Sequence, residues 1–312
     1  MTRIMGITLM LALGGALPAA AVPTTAPSTA AMPARPVQIG FVPPLGQILR
    51  FRITRTRTAD NRAQGPASLD FTARFTEAGD HYLMAIQFEL PQALRGTPSS
   101  AMTNLLLRPM VLRLNEGGEI VALENEAAYW ARMRAALAQF VRSEGGPPEG
   151  QALMTEIIDR MQAMPDGPRI EKLSESVSPI VGGASILLTP REAVQHEAVA
   201  DTIVGPMPMR SSVMLERVEG GIAIIAITSR VPGEALLKGT RDMIARVTAA
   251  AGMPSRPLRG DTRILSVDHR ETIHVSVETG ISRRYESVRT VRMAEGEGES
   301  TVEQRLLIER LQ

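Results

Sequence analysis

The sequence predicts an α+β fold, mainly antiparallel β-sheet, in two related halves with covering helices. Three observations carry that expectation. Long stretches alternate apolar and polar residues with period two, as a sheet with one wet face requires. Four turns of the form Glu-x-Gly, ending at Gly79, Gly118, Gly221 and Gly280, each separate two such stretches. Gly in the last place supplies the positive φ that a short hairpin loop needs. Finally, one phrase is written twice: "LPQALRGT" begins at Leu90 and "VPGEALLKGT" at Val231, each a strand's length beyond a Glu-x-Gly turn. A duplicated hairpin unit accounts for the pair. Pro ends the strand because it brings no ladder N–H, and the Ala-Leu run then starts a helix.

The chain of 312 residues is 44% hydrophobic, enough for a sizeable core in one or two domains. Its formal net charge of +1 gives no field to draw in nucleic acid or an acidic membrane, so neither is an expected partner. Residues 1–21 read as a secretory signal peptide. "MTR" is a basic n-region, "IMGITLMLALGGAL" is an apolar stretch too short to span comfortably, and Ala19 and Ala21 form a small-residue cleavage site. The expected location is periplasmic or secreted, with no transmembrane span after cleavage. The chain has no Cys, which excludes an acylated lipoprotein and disulfide staples.

The elements follow in order. Residues 22–40, rich in Pro, Ala and Thr, are a linker. Residues 41–125 form the first hairpin half. There Phe51 and Ile53 alternate with Arg50 and Arg52, which reads as a half-buried strand with a solvated arginine edge. Phe71, Ala73 and Phe75 share one face of the next strand, and Tyr82, Met84, Ile86 and Phe88 one face of its partner. "MVLRLNEGGEIVALEN" is a second hairpin.

Residues 126–165 form a helical pair. Trp130, Met133, Leu137, Phe140 and Val141 lie along the first helix, and Leu153, Ile157, Met161 and Met164 along the second, which Pro165 stops. The turn Gly145-Gly146-Pro147-Pro148 makes them antiparallel. Residues 166–205 are an irregular connection containing one short strand in "ASILL". Residues 206–312 form the second hairpin half. They include a helix over 233–250 with Leu236, Met243, Ile244 and Val247 on one face. The tail "STVEQRLLIERL" fits a helix through Val302, Leu306 and Leu307, and a last strand paired with 283–293 is the preferred reading.

Catalytic and metal chemistry finds little support. His269 and His274 in "DHRETIH" are five residues apart, so on a strand they point to opposite faces and cannot converge on a metal. His274 belongs with Thr272 and Ser276, opposite Ile273, Val275 and Val277. No Ser sits in a nucleophile elbow, and neither "GEALLKGT" nor "GEGE" is a phosphate or dinucleotide loop. Glu124 and Glu126 flank a helix start, where a carboxylate complements the dipole. No cofactor and no metal are expected. The aromatic-poor, methionine-rich apolar content, with 17 Met, suits a core with adaptable gaps or an apolar cavity.

The meander "SLDFTARFTEAGDHYLMAIQFEL", the hairpin "MVLRLNEGGEIVALEN", and the later "SVMLERVEGGIAIIAITS" and "TIHVSVETGISRRYESV" carry a resemblance. The layout resembles uncharacterised secreted bacterial hairpin-repeat proteins. More distantly it is similar to periplasmic lipoprotein-carrier and lipid-carrier half-barrels, in which a concave sheet closed by helices holds an acyl chain. The two consecutive helices over 126–164 depart from that pattern. The resemblance implies a non-catalytic binding protein for a lipid acyl chain or other apolar ligand, between sheet and helices. The expected lining is Tyr82, Met84, Ile86, Phe88, Trp130, Met133, Leu137, Phe140, Ile222 and Ile224. Two alternatives stand beside it. One is an envelope scaffold that pairs with envelope proteins through strand edges. The other is a hydrolase with dispersed residues, which a histidine in a carboxylate-lined pocket would favour.

Overall fold

The computed structural model describes residues 35–59, 62–89, 108–144, 148–202, 205–250, 263–295 and 298–311. The expected signal peptide, most of the expected linker, and the phrase at 90–97 with its expected helix lie outside the described residues.

Among the described residues eleven strands form one antiparallel sheet. In chain order they are β2 (Ile48–Ala59), β3 (Arg62–Glu77), β4 (Tyr82–Phe88), β5 (Met110–Leu114) and β6 (Ile120–Leu123), then β8 (Ala193–Thr202), β9 (Gly205–Glu219), β10 (Ile222–Val231), β11 (Arg263–Ser276), β12 (Ser282–Glu295) and β13 (Gly298–Arg310). Their order across the sheet is β6-β5-β4-β3-β2-β13-β12-β11-β10-β9-β8. Two meanders therefore lie side by side, and the last strand closes the seam by pairing with β2 along Val302–Arg310. The tail is a strand paired with β12, not the helix that Val302, Leu306 and Leu307 would also fit. A second, two-stranded sheet joins β1 (Val37–Gln38) to β7 (Leu187–Leu188).

Among the described residues four helices interrupt the strands: α1 (Glu126–Glu144), α2 (Pro148–Ala163), α3 (Asp166–Ser174) and α4 (Gly233–Ala250). Arg134 of α1 reaches Asp159 and Gln162 of α2, at the spacing an antiparallel helical hairpin requires. The α1 start is tied to the α3 start. Glu126 accepts hydrogen bonds from Trp130 Nε1 (2.8 Å) and from Arg169, which also donates to Met164 O. Arg169 thereby holds the Glu126 carboxyl below its usual range.

All four Glu-x-Gly turns lie at the same end of the sheet, because each follows a strand running in the same direction. Their glycines have positive φ, as a tight hairpin demands: 72° at Gly79, 84° at Gly118, 75° at Gly221 and 69° at Gly280. That end is curled shut. The turn at Gly118 and the turn at Gly280 are six strands apart, roughly 29 Å in a flat sheet. Yet the Phe41 ring fills the place of a Cβ at Gly118 (2.6 Å) and approaches the Cβ position of Gly280 (3.2 Å). One ring cannot touch both unless the sheet bends into a trough. Main-chain bonds from Gly40 N to Val277 O and from Val42 N to Thr279 O fix the plug. The core gathers here: Phe51, Phe71, Phe75, Met84, Ile86, Leu112 and Leu114 from the sheet, capped by Ile39, Val177 and Ile180.

Two details differ from the sequence reading. β2 is a central strand with partners on both sides, not an edge. Its Arg50 and Arg52 neutralise Glu89 and Asp70 across the outer face, Arg52 through two bonds of 2.7 and 2.8 Å. Residues 166–205 also carry more structure than expected: α3, a 3-10 turn at Ser178–Ile180, β7, and the ten-residue β8. The helix is only nine residues long and β8 is rich in Ala, so neither writes a strong hydrophobic period.

Candidate functional site

Antiparallel partners point to the same face of a sheet, so the register sorts the inward side chains into rows. Toward the closed end, one row is apolar apart from a phenol: Ile53, Ile308, Tyr285, Ile273, Ile225 and Leu215. Two rows further out comes a polar one: Arg57, Gln304, Arg289, His269, Ser229, Ser211 and His196, on seven adjacent strands. The row between them is mixed: Arg55, Leu306, Ser287, Glu271, Ile227 and Val213. Beyond the polar row, toward the open end, stand Ala59, Val302, Val291, Val267 and Val231. A polar belt thus divides two apolar zones on the concave face.

The belt is knit together where β11 and β12 pair. His269 Nε2 lies 2.6 Å from Ser287 Oγ, and its Nδ1 lies 3.4 Å from Glu271. Tyr285 donates to Glu271 at 3.0 Å. Burial lowers the affinity of His269 for a proton, against the pull of Glu271, so the ring is held neutral at pH 7. Burial, reinforced by Glu271, raises the Tyr285 hydroxyl far above the ordinary phenol range. Helix α3 and its C-terminus supply the opposite wall. Lys172 is buried, with its affinity for a proton lowered by burial and restored in part by Glu175 at 3.8 Å. Arg55 donates to Ser176 at 2.9 Å.

A second apolar cluster lies at the open side of the belt, under α4. Met207, Met209, Val231, Leu236, Met243 and Val267 are buried there, and Met161 of α2 packs against both this cluster and the main core. Leu236 and Met243 are the residues the helical period of α4 marks as inward. A groove of about 690 Å³ opens beside it, lined by Leu237, Lys238, Arg241, Arg263, Ile264 and their neighbours at the start of α4 and β11.

The structure places the expected lining in three groups. Tyr82, Met84, Ile86 and Phe88 all face inward, as their alternation predicts, but Met84 and Ile86 are fully buried in the packed core of the closed end. Trp130 is 3% exposed, and Met133 packs against the same core. Leu137 and Phe140 lie on α1, but their side chains fall outside the described residues. Ile222 and Ile224 do not join this set. Their neighbours Ala223 and Ile225 pair with the inward Val275 and Ile273, so Ile222 and Ile224 face the outside of the trough. An apolar run on consecutive residues hides which alternate positions point inward.

His269, Glu271, Ser287 and Arg289 were missed as a group because they come from two strands. The sequence does hold one trace of the belt. On β2 the arginines change face, from Arg50 and Arg52 outside to Arg55 and Arg57 inside. Among the described residues no cluster of His, Asp or Glu is arranged to hold a metal ion, and no helix is long and apolar enough to cross a membrane. No family model matches the chain, and no match is found among curated proteins.

Proposed function

We propose that this chain is a non-catalytic periplasmic protein that holds the apolar part of a lipid-like ligand between the concave sheet and its helices. The observation that carries the reading is the one-ended trough. The curled sheet is plugged by Phe41 and the 3-10 turn at one end, and at the other the flexible side chains of Met161, Met207, Met209 and Met243 meet under α4. Methionine adapts its shape to an acyl chain at low cost. The two meanders support a duplicated origin: in each, the twice-written phrase follows the strand after a Glu-x-Gly turn, β4 in one and β10 in the other.

The Ser287–His269–Glu271 contacts favour a second reading, ester hydrolysis, since a serine, a base and an orienting acid lie in sequence. The reading lacks its electrophilic half. Ser287 lies in mid-strand between β11 and β13, where backbone N–H groups are spent in the ladders, so no pair of amides faces a developing oxyanion. We assign the trio to the polar belt; labelling of Ser287 by a fluorophosphonate would reverse that assignment. The main reading is tested by native mass spectrometry of protein purified from a bacterial periplasm, followed by organic extraction. A stoichiometric mass released as lipid is the expected result. An apo mass that stays unchanged after incubation with mixed envelope lipids would contradict it and favour the scaffold alternative, for which β8 is the long exposed edge, with Val199 67% exposed.

A further inference from the structure

Resting on the carrier reading, we infer that the acyl chain enters the trough sideways, through a slot between β9 and β11 that α4 gates. The slot follows from unequal strand lengths. Strand β10 pairs with β9 as far as Arg210 and with β11 as far as Val267, and it stops at Val231. Its neighbours run on toward the open end. Residues 205–209 of β9 stay paired to β8, and residues 263–266 of β11 stay beside β12. On the sides that face each other, neither has a strand partner among the described residues. Two inter-strand spacings, roughly 9.5 Å, separate them, close to the diameter of one helix. Both margins are made to stay unpaired. Pro206 and Pro208 carry no N–H, and a proline within a sheet is tolerated on the side that lacks a ladder. On β11 the register slips between Ile264 and Ser266, a bulge that leaves Leu265 45% exposed.

After Val231, Pro232 ends the strand and the chain turns into α4, which lies behind the slot. Gly233 is the pivot. A Cβ there would lie 1.8 Å from Ile264 O, so only glycine lets the helix start rest on the bare main chain of β11. The rest of α4 is lightly held. Its inward side chains Leu236 and Met243 are buried against Met207, Met209, Val231 and Val267, a cluster separate from the main core. Arg246 meets Glu156 of α2 at 3.9 Å, a long ion pair. Within the helix, Gly239 weakens the helical preference, and Thr240 Oγ donates back to Leu236 O at 2.8 Å, a bond that bends helices. Displacing α4 uncovers the methionine cluster and leaves the plugged end intact. The groove of about 690 Å³ between α4 and the bare end of β11 is the entrance. Leu237, Ile264 and Leu265 give it apolar walls, and Ile264 also packs on the methionine cluster, so groove and cluster are continuous. Lys238, Arg241 and Arg263 share the rim with Glu234 and Asp242, so the rim carries both signs and the tail is selected by its apolarity.

The test follows, by stopped flow, the uptake of cis-parinarate, a polyene fatty acid whose fluorescence rises in apolar surroundings. The chain has no Cys, so a pair introduced for crosslinking stands alone. Glu156→Cys with Arg246→Cys, bridged by a short bis-maleimide, fastens α4 to α2. The expected result is uptake and release at least about tenfold slower than in the same variant before bridging, with the equilibrium affinity unchanged. A control bridge between Arg134→Cys and Asp159→Cys, joining α1 to α2, is expected to leave both rates as they were. Gly233→Ala moves the rates the other way, about three- to tenfold faster, because the methyl group lifts the helix start off β11. Unchanged rates across the α4 bridge overturn the gate and leave the carrier reading standing. Equal slowing by both bridges overturns it in favour of a general stiffening of the helices. Absence of parinarate binding by the parent chain sinks the carrier reading together with the inference. Hydrogen exchange on the parent chain needs no substitution, so a poorly folded variant does not leave the question open. There α4 amides are expected to exchange at least about tenfold faster than those of β10, and α4 exchanging as slowly as β10 overturns the gate.

Discussion

At the scale of single residues, His269 is the most informative. Its ring faces Glu271 and Ser287 from the sheet, Arg289 from β12 and Glu175 from the end of α3. Its affinity for a proton is lowered on folding, so the unfolded chain binds the proton first as pH falls. Stability contributed by the neutral ring is therefore present above the unfolded value near 6.5 and is lost progressively below it, at about 1.4 kcal/mol for each unit of depression. His274, on the outer face, shifts in the same direction and adds to the slope. The expected outcome is a midpoint of thermal unfolding that drops between pH 7.5 and 5.5 in the parent chain and drops less in His269→Asn. An identical slope in the two proteins would show that the ring is not shielded as described. None of this is legible from "DHRETIH" alone. The sequence gives the face of each histidine, since alternation is local. It does not give Ser287 as a partner, since that contact depends on the register of β12 against β11.

At the scale of elements, the joint between α1 and α3 makes a sharper claim than helix propensity does. Glu126 was legible as a helix-start carboxylate, and the structure adds a distant load: it holds Trp130 Nε1 and Arg169 together. Glu126→Ala leaves a half-buried guanidinium and an indole N–H without that acceptor. The expected loss is about 1–3 kcal/mol in denaturant unfolding, with a change in the emission of Trp130, the single tryptophan of the chain. A variant as stable as the parent with unchanged emission would mean that the helices are fixed by packing alone. Boundaries of α1, α2 and α4 were readable because each is long, amphipathic and bounded by Pro or Gly. The short α3 and the Ala-rich β8 were not, since few large apolar side chains mark their period.

At the scale of the whole molecule, the sheet was legible as a kind and not as a shape. Period two and the glycine turns announce antiparallel meanders. The seam between β2 and β13 joins residues about as far apart in sequence as the described chain allows, and nothing local specifies it. The curl depends on Phe41 meeting two turns at once, which is again a long-range fact. Both features bear on the central claim, because only a curled and plugged sheet has an inside. The measurement that tests it most directly is photo-crosslinking with a hexadecanoate carrying a diazirine at its tail, followed by peptide mapping. The account predicts adducts on the inward residues near the open end: Met207, Met209, Val231, Leu236, Met243 and Val267. Adducts confined to the outer face around Ile224 and His274, or labelling spread evenly over the surface, would contradict it.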